Sequence, residues 1–278
     1  MRARSFSLAL ALALSGGCAQ GVPVTIELAA RVGSEPAECG GMYAGIGTTS
    51  STLELDDLRL YVHDVRLVGS DGSEVPLELD QDGAFQLDSI VLLDFEDGTA
   101  GCQSGNPQLN STIRGTVSEG EGPFTGVRFK LGVPFERNHG NAAAAPSPLN
   151  VTSLFWTWNL GYKFVRIDSR TTGQPDGFQV HLGSTGCDGD GNGNVTGCAA
   201  DNVAEIELDG FDPDANRVVL DVAALLAGTD VDADAGGAHG CQSGADDPEC
   251  GPIFDRLGLP YGGNGPTGNQ SFFHVEAR

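Results

Sequence analysis

Positively charged residues are scarce in this chain. Only 15 Lys and Arg side chains stand against 38 Asp and Glu, so the formal net charge of the 278 residues is −23, and Lys130 and Lys163 are the only lysines. A surface of this sign repels phosphate groups. The composition therefore excludes a protein that binds nucleic acid or an anionic membrane through charge attraction.

Short catalytic motifs are also missing. The sequence contains no Gly-x-Ser-x-Gly, no P-loop, no His-Glu-x-x-His and no Cys-x-x-Cys-His. These motifs supply serine nucleophiles, phosphate binding, catalytic zinc and covalent haem, respectively. Acidic residues are too numerous for any pair to be singled out as a glycosidase dyad. We therefore expect a protein that is not an enzyme and has no haem of its own.

Turn-forming residues, by contrast, are abundant. The chain has 41 glycines, 14 prolines and 40% hydrophobic residues, which favours short strands joined by turns over long helices. We predict an all-β fold, an antiparallel β-sandwich with long disulfide-stapled loops and at most one or two short helices. One such helix is predicted over 221–227, with Asp221 as N-cap and Gly228 as the C-terminal stop.

Alternation of apolar and polar residues locates the strands, most clearly over 127–133. No repeat or linker divides the chain, so residues 19–278 are predicted to form a single domain. The predicted strands are 24–31, 53–68, 75–79, 85–95, 112–117, 127–133, 154–159, 163–168, 178–182, 205–208, 217–220 and 272–276.

Residues 1–18 have the pattern of an export signal. Two arginines precede the apolar run 6–14, which is too short to span a bilayer. The run ends in small residues before Cys18 and resembles the lipobox of bacterial lipoproteins, although Leu14 stands four places before the cysteine instead of three. We expect a signal peptide and a lipid on Cys18, with an ordinary soluble export signal as the alternative. Either signal places the mature protein outside the cytoplasm. We expect it in the periplasm or at the outer membrane or cell surface of a Gram-negative bacterium, with the lipid as its one membrane contact.

Apart from Cys18, the chain has six cysteines, an even number, as expected of disulfides in an exported protein. Two close pairs each bracket a loop rich in Gly and Asp, which leaves two distant cysteines for each other. The alternative, a thiolate metal site, would favour Cys-x-x-Cys spacing, which is missing. We predict three disulfides: Cys39 with Cys102, Cys187 with Cys198, and Cys241 with Cys250.

Two histidines and two tryptophans are candidate functional residues. His139 follows the predicted strand 127–133 in a polar loop, and alternation places His181 on the polar face of strand 178–182. Either imidazole also fits a surface or hydrogen-bonded role. Trp156 and Trp158 are predicted to share one strand face, as a core layer or as an oxidisable pair.

One glycine-rich loop has the spacing of a calcium site. Asp188, Asp190 and Asn192 alternate with glycines, and a glycine stands at the sixth position. The twelfth position is Ala199 instead of the bidentate Glu. A solvated acidic turn is therefore favoured over calcium binding.

Blocks spread in order through the chain resemble one known family, the MbnP-like periplasmic copper-binding proteins, also called the four-Cys partner of the metallo-mystery pair system and first associated with methanobactin operons. The resemblance runs from about residue 24 to the C-terminus. The matching blocks are 60–62, 65–67, 92–98, 126–129, 131–135, 138–139, 146–150, 155–158, 161–164, 181–187, 253–254 and 257–260, and His63 lies outside them.

The resemblance implies a secreted β-sandwich that binds copper and works with a dihaem c-type peroxidase-like oxidase. In that family the oxidase converts a tryptophan to kynurenine, so Trp156 or Trp158 is implied as the modification target. His139 and His181 lie inside matching blocks and are implied as copper ligands. The mature chain keeps one methionine, Met42, so the ligands should be nitrogen and oxygen rather than sulfur.

Two main hypotheses follow. The first is an exported copper-binding protein that acts in copper acquisition or handling. The second is a structural or adhesive surface sandwich stabilised by calcium, without copper and with both tryptophans in the core. A copper enzyme is a third hypothesis, but nothing in the sequence supplies its oxidisable substrate.

Overall fold

The computed structural model describes residues 21–103, 105 and 107–278, and most of its regular structure is β-strand, which confirms the all-β prediction. The predicted signal peptide and Cys18 lie outside the described residues. The strands are β1 Val22–Val32, β2 Glu35–Pro36, β3 Met42–Ile46, β4 Ser51–Gly69, β5 Glu74–Pro76, β6 Glu78–Leu79, β7 Gln86–Leu87, β8 Ile90–Asp94, β9 Thr112–Val117, β10 Phe124–Leu131, β11 Phe155–Thr157, β12 Gly161–Tyr162, β13 Val165–Thr171, β14 Phe178–Leu182, β15 Thr185–Gly189, β16 Val195–Ala200, β17 Ala204–Asp209, β18 Asn216–Asp221, β19 Gly240–Cys241 and β20 Phe273–Ala277.

Two large sheets form the sandwich. The larger has ten strands in the order β17-β10-β4-β13-β14-β19, with β3, β5 and β8 also paired to β4 and β7 paired to β8. The smaller has the order β20-β18-β1-β9-β6, with β2 paired to β1. The rings of Phe129 and Phe273 meet edge to face between the sheets, with centroids 5.2 Å apart. Two hairpins, β11-β12 and β15-β16, form separate two-stranded sheets.

Two strand pairs depart from the predicted antiparallel arrangement. β1 and β18 pair in parallel, as do β14 and β19, whereas the other pairs among the described strands are antiparallel. Both parallel pairs join segments far apart in the sequence. Hydrophobic alternation locates a strand but does not encode the direction of its neighbour, so the sequence contains no signal for this departure.

The described part of the chain has three short α-helices instead of the one or two predicted: α1 Phe135–Asn138, α2 Val222–Leu226 and α3 Cys250–Arg256, with 3-10 turns at Ala142–Ala144 and Thr152–Leu154. The Asp221 side chain caps α2 as expected, accepting the Ala223 N–H at 2.9 Å. α2 ends at Leu226, and its C-cap Ala227 directly precedes the predicted stop, Gly228. α1 and α3 are too short to give a clear helical period in the sequence.

The structure contains the three disulfides that the spacing predicts, Cys39–Cys102, Cys187–Cys198 and Cys241–Cys250. Cys187 and Cys198 are directly opposite each other on β15 and β16. The disulfide therefore ties together a hairpin that lies outside the two large sheets.

Candidate metal centre

His181 lies on β14, and its imidazole is buried beside a carboxylate of the neighbouring strand. Its Nε2 lies 2.6 Å from Asp168 Oδ1 on β13, while its Nδ1 is buried without a hydrogen-bond partner among the described residues. Because the carboxylate can only accept, Nε2 carries the proton and Nδ1 carries the free lone pair. A histidine that donates one N–H to a carboxylate and leaves its other nitrogen free is the usual arrangement of a metal ligand.

The Asp168 carboxylate belongs to a chain of charged side chains in the larger sheet, in which Asp57 is buried and Arg166 and Asp168 are partly buried. Arg166 Nε donates to Asp168 Oδ2 at 2.9 Å and lies 3.1 Å from Asp57 Oδ2. Burial alone would raise the pKa of Asp168, but the hydrogen bonds from His181 and Arg166 lower it below its ordinary value. The carboxylate is therefore ionised at neutral pH and can orient the imidazole.

His181 itself stays neutral at neutral pH. Burial lowers the pKa of its imidazole, and the hydrogen bond and charge of Asp168 offset this effect only in part. A neutral imidazole is the form that binds a metal ion, so His181 needs no deprotonation before it binds.

Trp156 packs beside His181, with ring centroids 6.2 Å apart. Gly183 makes this position possible, because a Cβ there would lie 2.5 Å from the indole Cζ3. The Lys163 Nζ lies 5.9 Å from the centre of the indole. Burial lowers the pKa of Lys163 to about 8. The indole therefore lies close to both an imidazole and a partly buried amine.

His139 lies at the C-terminal end of α1, in a different environment. Its Nδ1 is 3.1 Å from the backbone oxygen of Trp158, so Nδ1 is the nitrogen that donates and Nε2 carries the lone pair. Nε2 lies 3.3 Å from Asn138 Nδ2 and 3.6 Å from Cys198 Sγ. Burial lowers the pKa of His139 as well. Both candidate histidines are thus neutral, with one ring nitrogen donating.

The predicted tryptophan strand is shorter than expected, which corrects two sequence interpretations. β11 ends at Thr157, whose hydroxyl donates to Asn159 Oδ1 at 2.6 Å, so Trp158 lies in the turn instead of on the same strand face as Trp156. Trp158 is 46% exposed, and Trp156 is half-buried. Neither indole belongs to the hydrophobic core, so the interpretation of the pair as a core layer is wrong.

The β11-β12 hairpin contacts both candidate histidines. Trp156 touches His181, and the Trp158 backbone accepts from His139. Among the described residues, the two imidazoles share no hydrogen bond or ring contact with each other. Asn138 secures the hairpin by accepting the Tyr162 N–H at 2.8 Å and donating to Ser184 Oγ at 3.1 Å. Contacts through the hairpin therefore link the two ligand candidates.

A comparison with known proteins identifies the family. The family model described as MbnP matches residues 21–243. The chain belongs to the MbnP family. The solved structure of MbnP from Methylosinus trichosporium is similar to this protein, with a TM-score of 0.82 and 33% identity over 93% of this chain and 99% of that one. No curated protein matches the sequence.

MbnP-family proteins are exported, and no helix among the described residues of this MbnP-family protein is long and apolar enough to cross a membrane.

The predicted calcium loop of this MbnP-family protein is the tip of the β15-β16 hairpin. Asp190 Oδ1 accepts the N–H groups of Asn192 and Asn194, at 2.7 and 3.2 Å, and Oδ2 accepts from Asn194 Nδ2 at 2.8 Å. Asp188 lies in β15 before the turn. Both oxygens of Asp190 are engaged within the loop, which agrees with a solvated acidic turn. Calcium binding by Asp188, Asp190 and Asn192 stays a prediction.

The sequence reasoning missed Asp168, Arg166 and Lys163 as neighbours of the site. Asp168 and Arg166 are two apart on a strand whose apolar residues, such as Ile167, face the core, so their position off the core face could have been inferred. Their pairing with His181 depends on strand register, which alternation alone does not provide. His63 lies apart from these contacts, with its Nδ1 2.9 Å from the Gly132 oxygen.

Proposed function

We propose that this MbnP-family protein is an exported copper-binding protein in which His181 Nδ1 and His139 Nε2 are ligands. One observation carries the proposal: a neutral, buried imidazole that donates Nε2–H to a carboxylate and leaves Nδ1 without a partner. Membership of the MbnP family supports a role in copper handling.

The chemistry of the side chains fits copper. Imidazole nitrogen binds copper in either oxidation state. The cysteines nearest to His139, Cys187 and Cys198, are joined in a disulfide, so they supply no thiolate. Asp168 acts as a positioning residue because it fixes the protonated nitrogen of His181, and the Trp158 backbone oxygen does the same for His139.

We further propose Trp156 as the tryptophan that a partner haem oxidase converts to kynurenine. Trp156 is the indole that touches His181, so an aniline nitrogen formed there would arise beside a proposed ligand. Trp158 contributes its backbone oxygen to His139 instead, a contact that does not need the indole. Kynurenine has one oxygen more and one carbon fewer than tryptophan, a gain of about four mass units.

Mass spectrometry and metal analysis of protein from its native host test this proposal. We expect about one copper per chain and the mass gain in the peptide that holds Trp156. Trp156→Phe should abolish the gain, whereas Trp158→Phe, its matched control, should retain it. Calcium without copper would instead support the structural surface protein. An unmodified peptide in a fully copper-loaded chain would contradict the kynurenine step alone.

A further inference from the structure

Two buried carboxylates lie in the loop that the Cys241–Cys250 disulfide closes. Asp247 and Glu249 are only 8% and 6% exposed. None of the ion pairs among the described residues includes either side chain. Acidic side chains are rarely buried without a counter-charge, so this pair requires an explanation.

One oxygen of each carboxylate already accepts a backbone hydrogen bond. Asp247 Oδ2 accepts the Gln242 N–H at 3.0 Å, and Glu249 Oε1 accepts the Ala235 N–H at 2.6 Å. Backbone N–H donors favour the ionised form of a carboxyl group. Each side chain is therefore positioned by one backbone donor.

The second oxygen of each carboxylate has no donor. Asp247 Oδ1 and Glu249 Oε2 are both buried without a hydrogen-bond partner among the described residues. Burial raises the pKa of Asp247, and the Glu249 carboxyl group, within hydrogen-bonding reach, raises it further. Two neighbouring carboxyl groups that are both ionised repel each other unless a cation or a proton lies between them.

We propose that Asp247 and Glu249 bind a hard divalent cation of the calcium type with these two free oxygens. Carboxylate oxygens are the ligands that calcium prefers. A divalent cation neutralises both side chains in the state that the backbone donors favour. A single shared proton would leave one buried negative charge uncompensated.

This cation site would join two segments and support a third. Glu249 reaches back to Ala235, before the disulfide loop, and Asp247 closes the loop on Gln242. In the same loop, Ser243 Oγ donates to the His181 oxygen at 2.9 Å and accepts the Gly183 N–H at 3.1 Å. A cation here would therefore stabilise the loop that holds the end of β14.

Calcium titration of the full chain, treated with chelator, tests the site by calorimetry and thermal unfolding. We expect one calcium per chain, and a rise in Tm of roughly 5 to 10 °C when calcium exceeds its Kd about a hundredfold. Asp247→Asn and Glu249→Gln should each lose both responses. Glu249→Gln retains an oxygen for the Ala235 N–H, so its fold should survive. Asp190→Asn, in the other acidic loop, is the matched control and should respond as the unaltered chain does.

Two results would overturn this site. The first is a chain that does not respond to calcium and gains stability as the pH falls from neutral towards the ordinary carboxyl range, a gain that Asp247→Asn abolishes, which would show a shared proton instead. The second is a calcium response that survives in both carboxylate variants and disappears in Asp190→Asn, which would place the ion in the β15-β16 loop.

Discussion

The two proposed copper ligands are held in different ways. His181 lies on β14, which is paired with strands on both sides, and its imidazole is fixed by the partly buried Asp168, which Arg166 holds in turn. His139 follows the single-turn helix α1 and is fixed by one backbone oxygen in the Trp158 turn. One ligand is therefore part of the sheet, and the other depends on contacts among loops.

Because they are held differently, His181 in the sheet and His139 among the loops should contribute differently to copper binding. Strand-borne groups are positioned more precisely than loop-borne groups, because the sheet restricts their backbone. His181 should therefore determine most of the copper affinity. The position of His139 should depend on its neighbours, which include the β15-β16 hairpin and its disulfide.

Removal of either imidazole should have the largest effect on copper binding. His181→Ala and His139→Ala should each weaken binding by at least about tenfold, or ~1.4 kcal/mol, and His181→Ala should have the larger effect. His63→Ala removes a buried imidazole from the same β-sandwich and is the control. Equal affinities for all three variants in a copper titration would contradict the proposed ligands.

Asp168→Asn should weaken copper binding by about tenfold, because it removes the charge that fixes the protonated nitrogen of His181. The matched control is Asp64→Asn, which alters another carboxylate of the larger sheet, paired with Arg66 at 2.9 Å. A competition assay should separate the two variants. If both variants bind copper as the unaltered chain does, copper binding by His181 does not depend on the Asp168 carboxylate.

The half of the site that contains His139 lies among loops and can be tested through the nearby Cys187–Cys198 disulfide. Replacing both Cys187 and Cys198 with Ser should lower stability by about 3 kcal/mol and weaken copper binding several-fold, because the hairpin beside His139 loses its crosslink. The Cys39/Cys102 double Ser variant is the control: it opens a longer loop, at a cost of about 4 kcal/mol, yet should leave copper affinity unchanged. A greater loss of affinity in the control would show that copper binding follows overall stability.

The smallest expected effect concerns acid sensitivity of the metal-free chain. Because burial lowers the pKa of His181, the unfolded chain binds this proton more readily, and stability should decrease as the pH falls through the ordinary histidine value of about 6.5. Asp94, whose pKa burial raises to about 7, acts in the opposite direction. Denaturant unfolding of His181→Gln against the unaltered chain isolates the histidine effect, and identical pH slopes would contradict it.

The sequence predicted some elements closely because their pattern is local. β9 and β14 have the predicted bounds of 112–117 and 178–182, since each alternates cleanly between turns, and Asp221 caps α2 as expected. The β15-β16 hairpin was missed as a pair of strands because its polar, glycine-rich sequence has no apolar alternation.

The site could be predicted only in part. His139 and His181 were selected by family resemblance, since one histidine in a loop and one on a strand have no diagnostic spacing. The partnership of His181 with Asp168 arises from the register of β13 against β14, and the exposure of Trp158 arises from a turn that begins after Thr157. Both are properties of the assembled sheets and hairpins.

Pulsed electron paramagnetic resonance of the Cu(II)-loaded chain is the sharpest test of copper binding by both His139 and His181, because it counts the imidazoles bound to the metal. We expect two bound imidazoles in the unaltered chain and in His63→Ala, and one in His139→Ala and in His181→Ala. Two imidazoles persisting in His181→Ala would contradict this expectation.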